Sequence, residues 1–342
     1  MPQTNISEHV LETERHRTFY LSAGPEYGPL VILTHGWPEL SLSWRHQLPF
    51  LGAMGFRAVA PDMRGYGQSS VYPHHADYSQ ELVVKDMLEL IDSLDREKAI
   101  WIGHDWGSPV AWNMASHHPE RCYGVASLCI PYSTIELGLE SLINMVDRSV
   151  YPEDKYPAGQ WDYMRFYEEN FQKATEQMDA NPFNMVQLLF RKGSPEGMGL
   201  PAATASIRQA GGWFGGLPEA PDFPRDEDVV TEADLNFYAD ELKRNGFFGP
   251  NSWYMNHEAN AVFNHEVVNH GVIEIPALFL AARFDYTCES VASGLAEPMR
   301  DKCVRLSEKI IESGHWMAQE KPREVNRELV KWLVRELPEL LA

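Results

Sequence analysis

An aspartate in the first half of the chain stands between two glycines and could act as a nucleophile. Residues 103–107 have the sequence GHDWG, with Asp105 at the centre, and an apolar run precedes them at 99–102. The residues that follow, 109–115, have helical character with a proline in the first turn. A strand that turns sharply into a helix, with small residues two positions either side of a polar one, is typical of a nucleophile elbow. An aspartate that only caps a glycine-flanked helix is the alternative interpretation.

The central side chain, Asp105, limits the chemistry that this elbow could perform. A carboxylate is already ionised near pH 7, so it can attack carbon without a base to activate it. Attack on an ester or peptide carbonyl would give an anhydride, whereas attack on an sp³ carbon would give an alkyl ester. The segment therefore predicts covalent attack on an electrophilic sp³ carbon, such as that of an epoxide or an alkyl halide.

Two further polar side chains follow expected strands in the second half of the chain. Asp285 comes after the apolar run 277–282, and His315 comes after the run 304–311. Reactive groups in open parallel sheets collect beyond the carboxyl ends of the strands, so we expect both side chains near Asp105. A histidine has a suitable pKa to take a proton from the water that would hydrolyse the ester. Asp285 would orient the imidazole and stabilise its charged form.

A tight turn near the start of the chain could bind the negative oxygen that forms when water attacks the ester. Residues 35–38 have the sequence HGWP and follow the strand-like run 30–34. The backbone N–H groups of Trp37 and Trp106 could both donate to such an oxygen and form an oxyanion hole. Proline has no N–H and restricts the residue before it, so the turn is stiff and a cis Trp37–Pro38 bond is expected.

Apolar strands that alternate with amphipathic helices predict the fold class. Runs that are apolar on both faces, such as 56–60 and 125–130, indicate a parallel sheet that is covered by helices on both sides. Helices are expected over 43–54, 80–94 and 322–337, where apolar residues recur at helical spacing. The pattern predicts an α/β protein with a mostly parallel, doubly wound sheet.

A change in composition at about Ser133 predicts an insertion in this sheet. From there to about residue 264 the sequence is helical, aromatic and rich in glycine and proline, and it includes the irregular tract 193–224. We expect a helical cap, or lid, over residues 135–266, between the two parts of the core at 1–134 and 267–342. A separate all-helical domain with its own role is the alternative interpretation.

Composition and charge exclude several classes of partner. The chain has 342 residues with 29 basic and 49 acidic side chains, which gives a formal net charge of −20. Nucleic acids and anionic membranes bind basic patches, so neither is expected as a partner. No apolar run is long enough to span a membrane, and residues 1–15 do not resemble a signal peptide, so a cytoplasmic location is expected. The four cysteines form no metal-ligand pattern, so buried free thiols and no metal site are expected.

Together these motifs resemble the soluble epoxide hydrolases of the α/β-hydrolase fold over nearly the whole chain. The motifs that carry the resemblance are HGWP at 35–38, GYGQS at 65–69, GHDWG at 103–107, Asp285, and GHW at 314–316. The resemblance implies a helical cap, no cofactor, and a small lipophilic epoxide that reacts with water to give a vicinal diol. A monomer and a homodimer both remain open.

The resemblance also implies two cap tyrosines whose hydroxyls bind and protonate the epoxide oxygen while the aspartate attacks. The segment 247–254, with the sequence FFGPNSWY, places one of them at Tyr254. The other corresponds to Tyr163 in the segment 161–167, and Tyr167 is the alternative. Two phenols are neutral donors at neutral pH, which suits the negative charge that develops on the ring oxygen.

Aromatic side chains beside these motifs are expected to form the wall of an apolar substrate pocket. They are Trp37, Trp106, Phe284 and Trp316. Any of the four could instead belong to the hydrophobic core.

Two other functions remain as alternatives. A haloalkane or haloacetate dehalogenase shares the aspartate nucleophile but needs halide-binding donors, and it typically has Asn or Glu where this chain has Trp37. Many dehalogenases also take their acid from just beyond the strand at 125–130, which here leads into the sequence PYST. A non-catalytic ligand-binding receptor on the same scaffold would carry a broken triad, whereas Asp105, Asp285 and His315 are all present.

Overall fold

The computed structural model describes residues 6–341, and one eight-stranded sheet lies at its centre. The strands are β1 (Ser7–Glu12), β2 (Arg17–Ala23), β3 (Leu30–Thr34), β4 (Arg57–Pro61), β5 (Ala99–His104), β6 (Cys122–Leu128), β7 (Ile273–Ala282) and β8 (Cys303–Ile311). Their order across the sheet is β1-β2-β4-β3-β5-β6-β7-β8. The β1–β2 and β2–β4 pairs are antiparallel and every other neighbouring pair is parallel. The predicted α/β class with a mostly parallel sheet is confirmed.

Helices cover both faces of this sheet. The α-helices are α1 (Gln47–Ala53), α2 (Gln80–Ser93), α3 (Gly107–His117), α4 (Leu139–Asn144), α5 (Asp162–Ala180), α6 (Pro182–Leu189), α7 (Ile207–Ala210), α8 (Glu232–Asn245), α9 (Phe248–Ser252), α10 (His257–Asn264), α11 (Glu297–Lys302), α12 (Met317–Glu320) and α13 (Pro322–Glu336). Successive side chains of a strand point to opposite faces. In β3, Ile32 therefore packs with α2 and α3, whereas Val31 and Leu33 pack with α1 and α13.

The helix expected over 43–54 is shorter than predicted, while the other two expected helices are confirmed. A 3₁₀ turn occupies Ser41–Trp44, and α1 begins only at Gln47. Proline has no N–H to donate within a helix, so Pro49 is tolerated only in a first turn. The single apolar stripe at 43–54 therefore covers two short elements instead of one helix.

The segment between β6 and β7 contains helices and loops and, within the described residues, no strand. Its buried aromatic side chains belong to the same hydrophobic cluster as the sheet face under α2 and α3, so the segment packs directly on the core. The bounds of the cap at 135 and 266 stay a prediction. All four cysteines are free and buried. Among residues 6–341, none of the helices combines the length and the apolar character that crossing a bilayer requires.

Three of the parallel strands end where the predicted reactive residues begin. Strand β5 ends at His104, β7 at Ala282 and β8 at Ile311. Because these strands run in the same direction, their carboxyl ends meet at one edge of the sheet. The segment from α4 to α10 packs on the hydrophobic cluster that includes the sheet face under α2 and α3. This segment therefore encloses the edge from the side that faces away from the sheet.

Candidate active site

The elbow predicted around Asp105 is present at the end of β5. Asp105 has a φ of 47°, in the left-handed region, and its carbonyl accepts the N–H of Ser108 at 2.9 Å as α3 begins. A Cβ on Gly107 would lie 2.1 Å from the carbonyl oxygen of Thr34, so the turn has no room for a side chain there. No side chain caps the N-terminus of α3. The alternative in which Asp105 only caps this helix is therefore wrong.

His315 lies between the two carboxylates that were expected near it. Its Nδ1 is 2.6 Å from Oδ2 of Asp285, and its Nε2 is 3.4 Å from Oδ2 of Asp105. The other oxygen of Asp285 accepts the backbone N–H groups of Thr287 and Cys288 at 3.2 and 3.0 Å. Asp285 is therefore fixed in place and holds the imidazole with Nε2 turned toward the nucleophile.

These carboxylates also decide the protonation state of His315. Burial alone would favour the neutral imidazole, but the charge of Asp285 and the hydrogen bonds to Asp105 and Asp285 raise the pKa of His315 well above its ordinary value. Burial likewise opposes the ionised form of Asp285, yet the charge of His315 and its hydrogen bond lower the pKa of Asp285 below its ordinary value. Both shifts favour the charged form of His315 paired with the ionised form of Asp285.

A backbone donor contacts the carboxyl group of Asp105. The N–H of Trp37 donates to Oδ1 of Asp105 at 2.7 Å, and the Trp37–Pro38 bond is cis, as predicted. A Cβ on Gly36 would lie 2.3 Å from this oxygen and 2.6 Å from the backbone nitrogen of Trp106. Gly36 therefore lets the turn approach the carboxylate closely, and one of the two expected oxyanion donors, the N–H of Trp37, contacts it.

Behind the elbow lies a buried ion pair between His104 and Glu39. The Nδ1 of His104 donates to Oε2 of Glu39 at 2.7 Å, and its Nε2 donates to the carbonyl of His315 at 2.8 Å. Both partners are acceptors, so His104 is doubly protonated. Burial works against this charge, but Glu39 raises the pKa of His104 to about 10, and His104 lowers the pKa of Glu39 to about 2 against the effect of burial. Glu39 also accepts the N–H of Gly36 at 2.9 Å, so the pair joins the oxyanion turn to the His315 loop.

The cap contributes two phenols to the wall opposite Asp105. Tyr163 lies in the first turn of α5 and Tyr254 in the 3₁₀ turn after α9, and their ring centroids are 5.6 Å apart. Burial raises the pKa of each phenol well above its ordinary value, so both are neutral donors. Tyr167 stacks on Tyr254 at 4.7 Å, but its hydroxyl points to the sulfur of Met178 at 3.8 Å. Of the two alternative tyrosines, only Tyr163 lines the cavity.

These groups surround a cavity of about 170 Å³ between cap and core. Its lining residues are Trp37, Asp105, Tyr163, Leu189, Thr204, Trp213, Tyr254, Asp285, Thr287, Cys288, His315 and Trp316. Trp106 and Phe284 are absent from this wall, which corrects the expected pocket lining. Trp106 is fully buried behind it, edge-on to Tyr254 at 5.2 Å, and Phe284 lies at the surface of the core beside Gly193.

Sequence reasoning missed Trp213, which packs on Trp37 and on Tyr163 with ring centroids 5.5 Å apart in both cases. Trp213 lies in the segment 211–216, whose sequence is GGWFGG. The one sequence signal that Trp213 lines the cavity was its position as a large aromatic residue between two glycine pairs in an otherwise irregular tract. The glycine-rich tract thus supplies a wall of the cavity.

Two groups of potential metal ligands share His315. Asp285, Cys288 and His315 form one group, and His104, Cys129 and His315 form the other. Their donor atoms are already engaged: His315 pairs with Asp285, and His104 uses one nitrogen for Glu39 and the other for the carbonyl of His315. The arrangement suits proton transfer better than it suits a resident metal ion.

Comparison with known proteins gives a consistent result. A family model described as alpha/beta hydrolase fold matches residues 29–193. The chain is 30% identical to Epoxide hydrolase A of Mycobacterium tuberculosis, over 96% of this chain and 97% of that protein. The crystal structure of Epoxide Hydrolase A from Mycobacterium thermoresistibile matches with a TM-score of 0.79 at 31% identity, covering 96% of this chain and 98% of that one. Bifunctional epoxide hydrolase 2 of Sus scrofa is 35% identical over 90% of this chain, which spans about half (51%) of that longer relative.

Proposed function

Because this chain belongs to the epoxide hydrolases of the α/β-hydrolase fold, we propose that it converts an epoxide into a vicinal diol through a covalent ester on Asp105. The observation that carries the proposal is the arrangement of one cavity. The carboxyl group of Asp105 lies on its core side, and two phenols, Tyr163 and Tyr254, lie on its cap side. A nucleophile and two acids on opposite walls match the two ends of an epoxide C–O bond.

In the first step, Asp105 attacks a ring carbon and the C–O bond of that carbon breaks. Oδ1 stays with the N–H of Trp37, so Oδ2 is the oxygen that forms the ester bond. The departing ring oxygen would become an alkoxide without a donor, and Tyr163 and Tyr254 supply two. Donors that act where charge develops lower the barrier without binding the ground state equally well.

In the second step, His315 takes a proton from water, and the hydroxide attacks the carboxyl carbon of the ester. The negative oxygen of the tetrahedral intermediate is Oδ1, and the N–H groups of Trp37 and Trp106 stabilise it. Collapse of this intermediate breaks the bond between the carboxyl carbon and Oδ2, and the leaving diol oxygen takes the proton that His315 held. The second proton of the water leaves the restored carboxyl group of Asp105 and replaces the one that a phenol gave to the ring oxygen. Over the cycle, the oxygen of the water therefore enters Asp105, and its two protons balance those gained by the two oxygens of the diol.

The protonation of His315 changes between these steps. In the resting enzyme, the carboxylate of Asp105 helps to keep the imidazole charged. Alkylation replaces that carboxylate with a neutral ester, so one cause of the raised pKa is lost. The pKa of His315 then falls, so the imidazolium releases a proton to solvent and the neutral imidazole can act as a base while the ester is present. His315 regains that proton from solvent once the carboxylate of Asp105 is free again. The covalent step thereby prepares the hydrolytic step.

One turnover in water enriched in ¹⁸O tests this proposal, with styrene oxide as the substrate and enzyme in excess. The label is expected in Asp105, measured by mass spectrometry of the peptide, and the first diol is expected to carry ordinary oxygen. Label that appears directly in the diol would mean attack by water and would contradict the ester. Halide release from a chloroalkane without diol formation from any epoxide would favour the dehalogenase alternative.

A further inference from the structure

A buried asparagine, Asn251, joins the turn at 35–38 in the core to two helices of the cap. It lies in α9 and is fully buried. Its Oδ1 accepts the indole N–H of Trp37 at 3.0 Å. Its Nδ2 donates to the hydroxyl of Thr175 in α5 at 3.1 Å and to the sulfur of Met178 at 3.6 Å. The reaction steps proposed above leave this side chain without a role.

The two ends of this amide have different partners, and these partners fix its orientation. An indole N–H can only donate, so it must face Oδ1, whereas the hydroxyl of Thr175 and the sulfur of Met178 can accept from Nδ2. A leucine at position 251 would fill a similar volume but would leave the buried indole N–H without an acceptor. Asparagine therefore satisfies both the core side and the cap side of this contact.

The bond to Asn251 fixes the direction of the Trp37 indole. Among residues 6–341, the indole makes no other hydrogen bond. Its other contacts include ring packing on Trp213 and Tyr254, with centroids 5.5 and 5.9 Å apart, and such packing tolerates a range of angles. The preceding residue, Gly36, allows the backbone of the turn many conformations. An anchored indole therefore restrains the backbone N–H of Trp37, which contacts Oδ1 of Asp105 at 2.7 Å.

The cap segment that carries Tyr254 has anchors of its own. The indole N–H of Trp253 donates to the carbonyl of Arg64 in the core at 3.0 Å. The hydroxyl of Ser252 makes a second such bond, at 2.8 Å, to the ring of His75. Loss of the neighbouring amide should therefore leave the phenol of Tyr254 in place and should release mainly the indole on the core side.

The backbone N–H of Trp37 acts differently in the two proposed steps. As the ester forms, negative charge leaves Asp105 for the ring oxygen, so the hydrogen bond to Oδ1 weakens. As hydroxide attacks the ester, a full negative charge returns to Oδ1, so the same bond strengthens. A donor whose bond strengthens only on the way to the tetrahedral intermediate lowers the barrier to hydrolysis and not the barrier to alkylation.

We propose that Asn251 is a positioning residue for hydrolysis of the ester. It acts through the indole of Trp37, which it holds so that the backbone N–H of Trp37 stays on Oδ1 of Asp105. This inference rests on the proposed function, and it assigns Asn251 to the second step and not to the first.

Single-turnover kinetics of Asn251→Leu test the inference, with styrene oxide as the substrate and the full chain in excess. Intact-mass spectrometry of quenched samples follows the ester, and chromatography follows the diol. Hydrolysis of the ester should slow about tenfold, since an oxyanion donor is displaced but not removed, and alkylation should stay within about twofold. In the steady state, kcat and KM should fall together while kcat/KM, which reports the steps up to ester formation, is unchanged.

Two further variants define the bond. Trp37→Phe removes the indole N–H from the other end of the bond and should also slow hydrolysis more than alkylation, so the test does not depend on the folding of Asn251→Leu. The double variant Trp37→Phe/Asn251→Leu should hydrolyse the ester no more slowly than the slower single variant, because both remove the same contact.

Asn264→Leu is the matched control. Asn264 is a buried asparagine whose amide donates to the carbonyls of Glu136 and Asn260, and it does not line the catalytic cavity. This variant should lose stability without a change in the ratio of the two rates.

The outcomes separate this inference from the proposed function. A wild type that forms neither ester nor diol from any epoxide would contradict the proposed function itself. Diol formation by the wild type, with both steps slowed equally in Asn251→Leu and in Trp37→Phe, would mean that the bond only supports the fold. That result, or unchanged rates in both variants, would overturn the inference alone.

Discussion

The core wall and the cap wall of the catalytic cavity hold their polar groups in different ways. On the core wall, Asp105 accepts the N–H of Trp37, Asp285 accepts two backbone N–H groups, and His315 contacts both carboxylates. On the cap wall, the hydroxyls of Tyr163 and Tyr254 have no hydrogen-bond partner among the described residues, and both rings are held by aromatic packing. The core groups are preorganised by the protein, whereas the cap groups are free to donate to a ligand.

This difference matches the two tasks that we propose for the site. A nucleophile and its base must keep one geometry through both steps, and fixed hydrogen bonds provide that geometry. A donor to the ring oxygen should be unoccupied until substrate binds, since an existing partner would have to be displaced. Variants of the core wall should therefore stop a chemical step, and single variants of the cap wall should only slow one.

The largest effect is expected from Asp105→Ala, which removes the nucleophile from the core wall. Turnover of styrene oxide should fall by roughly a thousandfold or more, because the other groups of the site cannot form the ester. The measurement is kcat/KM, together with a circular dichroism spectrum that shows the variant is folded. Activity close to that of the wild type would contradict the nucleophile assignment.

The next effect is expected from His315→Gln, which removes the base and leaves the nucleophile. Alkylation should continue and hydrolysis should stall, so that the ester accumulates on Asp105. Intact-mass spectrometry should show the enzyme heavier by one substrate, and steady-state diol formation should fall by about a hundredfold or more. Diol release at the normal rate with no adduct would show that another group activates the water.

A smaller effect is expected from the cap wall. Tyr254→Phe and Tyr163→Phe should each slow alkylation about tenfold to a hundredfold, since one donor remains to stabilise the ring oxygen. Single-turnover kinetics measure this step directly. Tyr167→Phe is the matched control, because its hydroxyl faces Met178, and its rate should stay within a few-fold of the wild type. If Tyr167→Phe were the slow variant and Tyr163→Phe were not, the choice between the two would be reversed.

The core wall was also easier to predict from the sequence than the cap wall. Asp105, Asp285 and His315 each follow an apolar strand, and parallel strands place their carboxyl ends at one edge whatever lies in the loops. The choice between Tyr163 and Tyr167 had no such support. Residues four apart lie on the same face of a helix, so periodicity cannot separate them. Only the packing of Tyr167 against Tyr254 and Met178 distinguishes the two.

Two other features depend on contacts that no local pattern carries. Glu39 lies in a loop 65 positions from its partner His104, and a single acidic residue there does not indicate a buried ion pair. Trp106 and Phe284 stand next to Asp105 and Asp285 in the sequence, yet neither lines the cavity. Adjacent residues on an elbow or strand end point in different directions, so proximity in sequence does not predict which side chain meets the substrate.

Removal of the ion pair between His104 and Glu39, which makes the core wall rigid, is expected to have the smallest effect on rate. It is expected to have a distinct effect on stability. The pKa of His104 is raised from 6.5 to about 10, so its contribution to the free energy of unfolding is complete below pH 6.5 and is lost as the pH rises toward 10. The pKa of Glu39 is lowered from 4.5 to about 2, so its contribution is complete above pH 4.5 and is lost as the pH falls toward 2. The double variant Glu39→Gln/His104→Gln keeps a polar side chain at both positions but removes both titrations. Urea unfolding at neutral pH and near pH 10 should therefore show a larger loss of stability in the wild type than in the double variant, and equal losses would mean that the pair is not charged in the folded protein.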